Sequence, residues 1–209
     1  LDPAIARVDA DGLIQPLADG ETTLTIQTAA GELKVPIQIT GIKNPAPVSF
    51  EHEILPILTK ARCNSGGCHG KAEGQNGFKL SLLGFDGRAD YDALIKEGRS
   101  RRISLAAPQQ SLLLRKASAE IPHGGGLKIP RDGPQYKRLV RWLATGAPYS
   151  VPDERPAVSI EVEPAELVMQ TRERRQLRVT AIDAEGNRRC VTVETEFISN
   201  AGQIVEANS

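Results

Sequence analysis

The sequence predicts a multidomain protein of mixed α and β class, with a small all-α centre between two β segments of sandwich type. Three observations predict it. The 26 basic and 26 acidic side chains cancel over the 209 residues, but residues 1–44 hold 3 basic against 6 acidic, 45–150 hold 16 against 9, and 151–209 hold 7 against 11. Proline-rich connectors fall at the same places, at Lys43-Asn44-Pro45-Ala46-Pro47 and around Pro148, Pro152 and Pro156; proline removes backbone donors and blocks helix continuation. Apolar residues alternate in the flanks and recur at helical spacing in the centre.

In the first flank, Ala6 to Leu13 carries a turn at Asp9-Ala10-Asp11-Gly12, and Gly20 to Gln27 and Leu33 to Thr40 alternate as strands. In the second, Val158 to Val162, Arg175 to Ala181 and Cys190 to Phe197 are the expected strands, with a turn at Ala184-Glu185-Gly186-Asn187. Short β-branched runs at about ten-residue spacing predict antiparallel sandwich segments. In the centre, Phe50 to Ala61 reads as a helix with Ser49 as N-cap and Pro56 as a kink. Tyr91 to Glu97 and Gln110 to Ala117 are short helices. Gln135 to Thr145 is closed by Pro134 before it and Gly146 after it. Cys190 reads as a small buried strand residue.

Composition excludes several classes. Forty per cent apolar and 25% charged residues are ordinary for a globular chain. No apolar run reaches the ~18 residues of a membrane helix, and no signal peptide is visible, as in a mature chain or an excised fragment. Three cysteines are no disulfide framework. Zero net charge argues against a global nucleic-acid binder. No Ser-His-Asp arrangement, phosphate loop or paired-acid motif is present, so an enzyme is the less favoured class.

The chemistry concentrates at Cys63-Asn64-Ser65-Gly66-Gly67-Cys68-His69. Two thiols followed directly by an imidazole are the parts of a c-type haem attachment site, spaced here by four residues instead of two. Gly66-Gly67 is expected to supply the looser loop. A Cys63–Cys68 disulfide fits the spacing, and so does a zinc site of Cys63, Cys68, His69 and His123. Around the motif lie a helix directly before Cys63, a terminal helix with Trp142, and the loop Ile121 to Lys128 with its single imidazole. The only Met, Met169, lies in the C-terminal flank. A His/Met pair within the central segment is therefore excluded, whereas His69/His123 is available.

Residues 48–150 resemble the planctomycete-type cytochrome c domain. The carrying motifs are Cys63 to Gly70, Gln75 to Leu82, Ala107 to Leu113, Pro122 to Gly126 and Arg141 to Pro148. Asp9 to Leu13 with Ala18 to Leu24, and residues 158–207, resemble the second and first halves of bacterial Ig-like group 2 domains. These halves either pack together around the inserted centre or belong to separate sandwiches of a longer parent. The resemblance implies a class I-like cytochrome fold and one haem c bound covalently through Cys63 and Cys68, with His69 as proximal ligand. It also implies electron transfer and an extracytoplasmic, periplasmic or cell-surface location. His123 is the expected sixth ligand and His52 its rival; bis-imidazole ligation lowers the potential relative to His/Met. Arg99, Arg101, Arg102 and Lys128 are candidates for the haem propionates, or for a basic face that attracts acidic redox partners. A haem sensor or redox enzyme with a dissociable distal ligand, and a zinc-stapled structural module, are the alternatives.

Overall fold

A computed structural model describes residues 1–10, 12–152 and 154–207. Asp11, in the first predicted turn, and Asp153, in the second connector, lie outside the described residues, as do 208 and 209. The chain divides into two compact units, Leu1–Ala46 and Pro47–Ser209.

In the first unit, β1 (Ala6–Val8) pairs with β2 (Ile14–Pro16), and β3 (Gly20–Thr28) pairs antiparallel with β4 (Gly31–Ile39) in unbroken register from Gly20↔Ile39 to Thr28↔Gly31. Alternating β-branched residues make good strands. Gly31, at φ +134°, follows the β3–β4 turn. Ala6 and Ile39 are the buried apolar residues of this unit among those described.

The second unit opens on a π-helical turn, Phe50–Ile54, that runs into α1 (Leu55–Lys60). Ser49 Oγ accepts from His52 N, and the Glu53 carboxylate reaches back to accept from Ser49 N at 3.2 Å. This reciprocal arrangement satisfies donors that a helix start leaves open. Pro56 sits at the passage from the π turn into α1, the place where the sequence predicts a kink. Next come α2 (Gly87–Ile95), capped by the Asp86 side chain, α3 (Leu112–Ala117) and α4 (Pro134–Ala144). Gly146, past the end of α4, takes φ +93°, a left-handed conformation glycine adopts readily.

One core unites these helices. Phe50, Ile54, Leu58, Leu94, Leu114, Leu139, Trp142 and Leu143 are buried together. The Phe50 ring lies 5.6 Å from Trp142 and 5.3 Å from Tyr91. Each such side chain contributes about 1.5–3 kcal/mol on burial. Trp142 Nε1 donates to Pro148 O at 2.9 Å, so the indole N–H is satisfied inside the core.

The expected fold class is corrected. The described residues form seven strands in three sheets of two or three strands, with four short α-helices of 6, 9, 6 and 11 residues. This is not an all-α cytochrome domain between Ig-like sandwich segments. A sandwich needs a second sheet over the apolar face of the first. The C-terminal sheet, β5 (Ala157–Glu163), β6 (Arg178–Asp183) and β7 (Arg188–Cys190), leaves every residue of β5 exposed. Among the described residues, Val179, Ala181 and Val191 form its buried apolar cluster, with Phe197 against it. Between the helices the chain runs largely in turns and loops.

The strand expected over Cys190 to Phe197 is also corrected. β7 stops at Cys190, which is exposed, and the following residues turn. Glu194 pairs there with Arg138 of α4 and with Arg189 at 2.8 Å. Lys60 Nζ donates to Val193 O at 2.5 Å and Arg62 meets Glu196 at 3.0 Å. These contacts draw the segment onto the helices instead of extending the sheet. No helix among the described residues is long and apolar enough to cross a membrane.

Candidate functional site

A cavity of about 860 Å³ opens among the helices, within the range of ligand-binding clefts. Leu58, Phe78, Leu80, Leu94, Leu112 and Leu113 supply apolar wall, and Cys63, Cys68, His69, His123, Arg101, Arg102 and Lys128 line it with polar groups. Four residues singled out for chemistry, 60 positions apart along the chain at the extremes, are thus brought to one space.

The Cys63–His69 segment is a closed hydrogen-bonded loop that starts from α1. Cys63 N donates to Leu58 O at 2.8 Å, His69 N donates back to Cys63 O at 2.9 Å, and Cys68 N donates to Ser65 O at 2.9 Å. The loop's glycine requirement falls elsewhere than expected. Gly66 and Gly67 have no left-handed backbone; Arg62 takes φ +58°, and Gly70 is the position without room, since a Cβ there would lie 2.0 Å from Asn64 O. Asn64 is fully buried and its amide donates to Thr59 Oγ1 at 2.8 Å, tying the loop to α1.

Both imidazoles are fixed through the same nitrogen. His69 Nδ1 lies 3.0 Å from Phe78 O, and His123 Nδ1 lies 3.1 Å from Gly126 O. A carbonyl only accepts, so each Nδ1 is the protonated nitrogen, and in the neutral ring Nε2 is the one with the lone pair. The two rings lie 6.4 Å apart between centres, with planes 11° from parallel.

The His123 loop is anchored at its far end, where Lys128 N and Ile129 N both donate to Ala117 O. A Cβ on Gly125 would sit 3.0 Å from His123 Cε1 and 3.1 Å from Lys128 Cε, so glycine there leaves room for the imidazole. Burial holds His69 below the ordinary histidine range, against the Phe78 hydrogen bond, which raises it. Burial pushes the Cys63 thiol up to about 11, partly offset by the nearby Lys128 ammonium.

No family model, curated protein or solved structure matches this chain.

The remaining expected residues divide. Arg101 and Lys128 line the cavity; Arg99 does not, lying on an exposed 3₁₀ turn at φ +59°. Arg102 lines it but is committed to the wall. Its two terminal nitrogens donate to Ala93 O and Gly77 O, both at 2.6 Å, and its guanidinium stacks 4.6 Å from the Phe78 ring centre. His52 is outside the cavity, beside Glu154 at 3.9 Å. Met169 is also outside it. Cys63 and Cys68 are free thiols, not a disulfide. They make no metal cluster with the two histidines: among the described residues, the one group of three ligand atoms close enough to share an ion is at Glu51, His52 and Glu154.

Phe78 was absent from the sequence-derived site. Its carbonyl orients His69 and its ring packs 4.5 Å from the imidazole centre. The carbonyl roles of Phe78 and Gly126 are carried by backbone, which leaves no mark in residue type.

Proposed function

We propose that the cavity holds one haem c, attached through Cys63 and Cys68 and ligated by His69 and His123, in an electron-transfer module of an extracytoplasmic protein. The observation that carries this reading is that two free thiols, Cys63 and Cys68, and two imidazoles, His69 and His123, line one cavity, each ring held through its Nδ1 by a backbone carbonyl. The resemblance to planctomycete-type cytochrome c motifs supports it, and covalent haem attachment outside the cytoplasm supports the location.

When bound, haem supplies a one-electron iron couple, and bis-imidazole ligation favours a potential below that of His/Met sites. The chain's own residues do the rest. Phe78 O and Gly126 O hold the two rings in their Nδ1–H tautomers, so little side-chain freedom remains to be lost on ligation. Leu58, Leu80, Leu94, Leu112 and Leu113 give the haem an apolar wall to lie against. Arg101 and Lys128 offer cationic partners to the propionates, or to an acidic redox partner at the cavity mouth.

The test is a pyridine haemochrome spectrum with intact mass, on chain expressed in a host with c-type maturation. The expected result is one haem per chain with both thiols consumed. A mass lacking haem overturns the reading, and zinc in its place redirects it to a structural site. His123→Ala is expected to convert a low-spin spectrum that CO leaves unchanged into one that CO shifts. A CO response in the unaltered chain makes the haem a sensor or enzyme centre instead of an electron carrier.

A further inference from the structure

His52 is a histidine that the proposed haem site does not use, and it has company. One ligand atom from each of Glu51, His52 and Glu154 lies within 4.8 Å of the other two. We propose that these three side chains form a second site, for a divalent transition-metal ion of the zinc class.

The donor set is one imidazole and two carboxylates, the mixed nitrogen and oxygen set that zinc accepts with a further position left for water. The site has a fixed frame. Glu51 N donates to Tyr149 O at 3.2 Å, and His52 N donates to Ser49 Oγ at 3.3 Å, so both residues sit on a π turn pinned to the chain that leads to Glu154. The Glu51 carboxylate also lies near enough to the Tyr149 hydroxyl to hold that phenol above its ordinary range, behind the larger effect of burial.

Two further observations point to a cation. Glu154 Oε1 is buried without a hydrogen-bond partner, and the Glu154 side chain is only 17% exposed. Among the described residues no lysine or arginine pairs with Glu51 or Glu154, whereas neighbouring Glu53 pairs with Arg138 at 3.2 Å. Two carboxylates thus converge on His52 with no fixed positive charge, and buried carboxylate oxygens are costly unless a cation or donor meets them. An ion here joins the π turn that begins the helical core to the connector that leads into β5. It acts as a clasp between helices and C-terminal sheet, and it does not depend on haem.

The test is Zn²⁺ titration of the full haem-loaded chain, stripped of metal by chelator dialysis, with Co²⁺ absorption as a second readout. One ion per chain is expected, with binding weakened at least about tenfold by His52→Ala and by Glu154→Gln. The Co²⁺ bands are expected to vanish in His52→Ala. Circular dichroism without metal verifies each fold, and Glu51→Gln replaces any variant that fails it. If the chain carries no haem, the titration is made in a Cys63→Ser, Cys68→Ser background, so failure of the haem reading leaves this one decidable. Absence of stoichiometric binding, or unchanged affinity in all variants, overturns the site.

Discussion

Within the Pro47–Ser209 unit, the helices and the C-terminal sheet have comparably patterned sequences and opposite fates. Phe50, Leu139 and Trp142 are fully buried, whereas Val158 and Ile160 of β5 remain 66% and 61% exposed. Periodicity decides what kind of element forms. Burial requires a facing layer, and α4 has one in α1 and its π turn while β5 has none among the described residues. An apolar residue therefore stabilises only where something covers it.

Three substitutions would break or sharpen this contrast. Trp142→Ala removes the centre of the aromatic cluster and the donor to Pro148 O, and is expected to destabilise by about 3–5 kcal/mol in denaturant unfolding. A loss under 1 kcal/mol would mean the core is looser than its packing. Arg102→Met keeps volume but leaves Ala93 O and Gly77 O without their donor. The expected loss is about 1–3 kcal/mol, together with a disturbed His69 environment by NMR, since Phe78 loses its stacked guanidinium. Ile160→Ala is expected to change stability by no more than about 0.5 kcal/mol. A loss of about 2–5 kcal/mol would reveal a covering layer over β5.

The sequence was most legible where a residue type carries the chemistry. Cys63, Cys68, His69 and His123 were expected together and do share one cavity. It was less legible for basic side chains, because a guanidinium satisfies a backbone carbonyl as readily as a carboxylate. Arg102 became a brace for that reason, and Arg99 fell outside the cavity. The glycines show the same limit. Gly66-Gly67 looks like the flexible part of its loop, but the steric need lies at Gly70, set by a contact with Asn64 that no local pattern announces.

The sandwich expectation failed on a tertiary matter. Alternation in β3, β4 and β5 marks strands correctly at the level of the element but does not say what lies over them. Likewise, Val191 to Phe197 has strand composition, but Glu194 finds Arg138 and the segment turns onto α4. Long-range ion pairs of this kind override a local preference worth about 1 kcal/mol or less per residue.

The seam at Ser49 and Tyr149 has a topological consequence. Phe50 N donates to both Pro148 O and Tyr149 O, and Ser49 Oγ donates to Tyr149 O, 100 residues away. The chain therefore enters and leaves its helical segment at a single point. Such a segment is a cassette: it can be spliced into a host loop without prising the host apart, because its two ends occupy the gap of one turn. A segment built this way carries its whole cavity with it, since every residue that lines the cavity lies between its two ends.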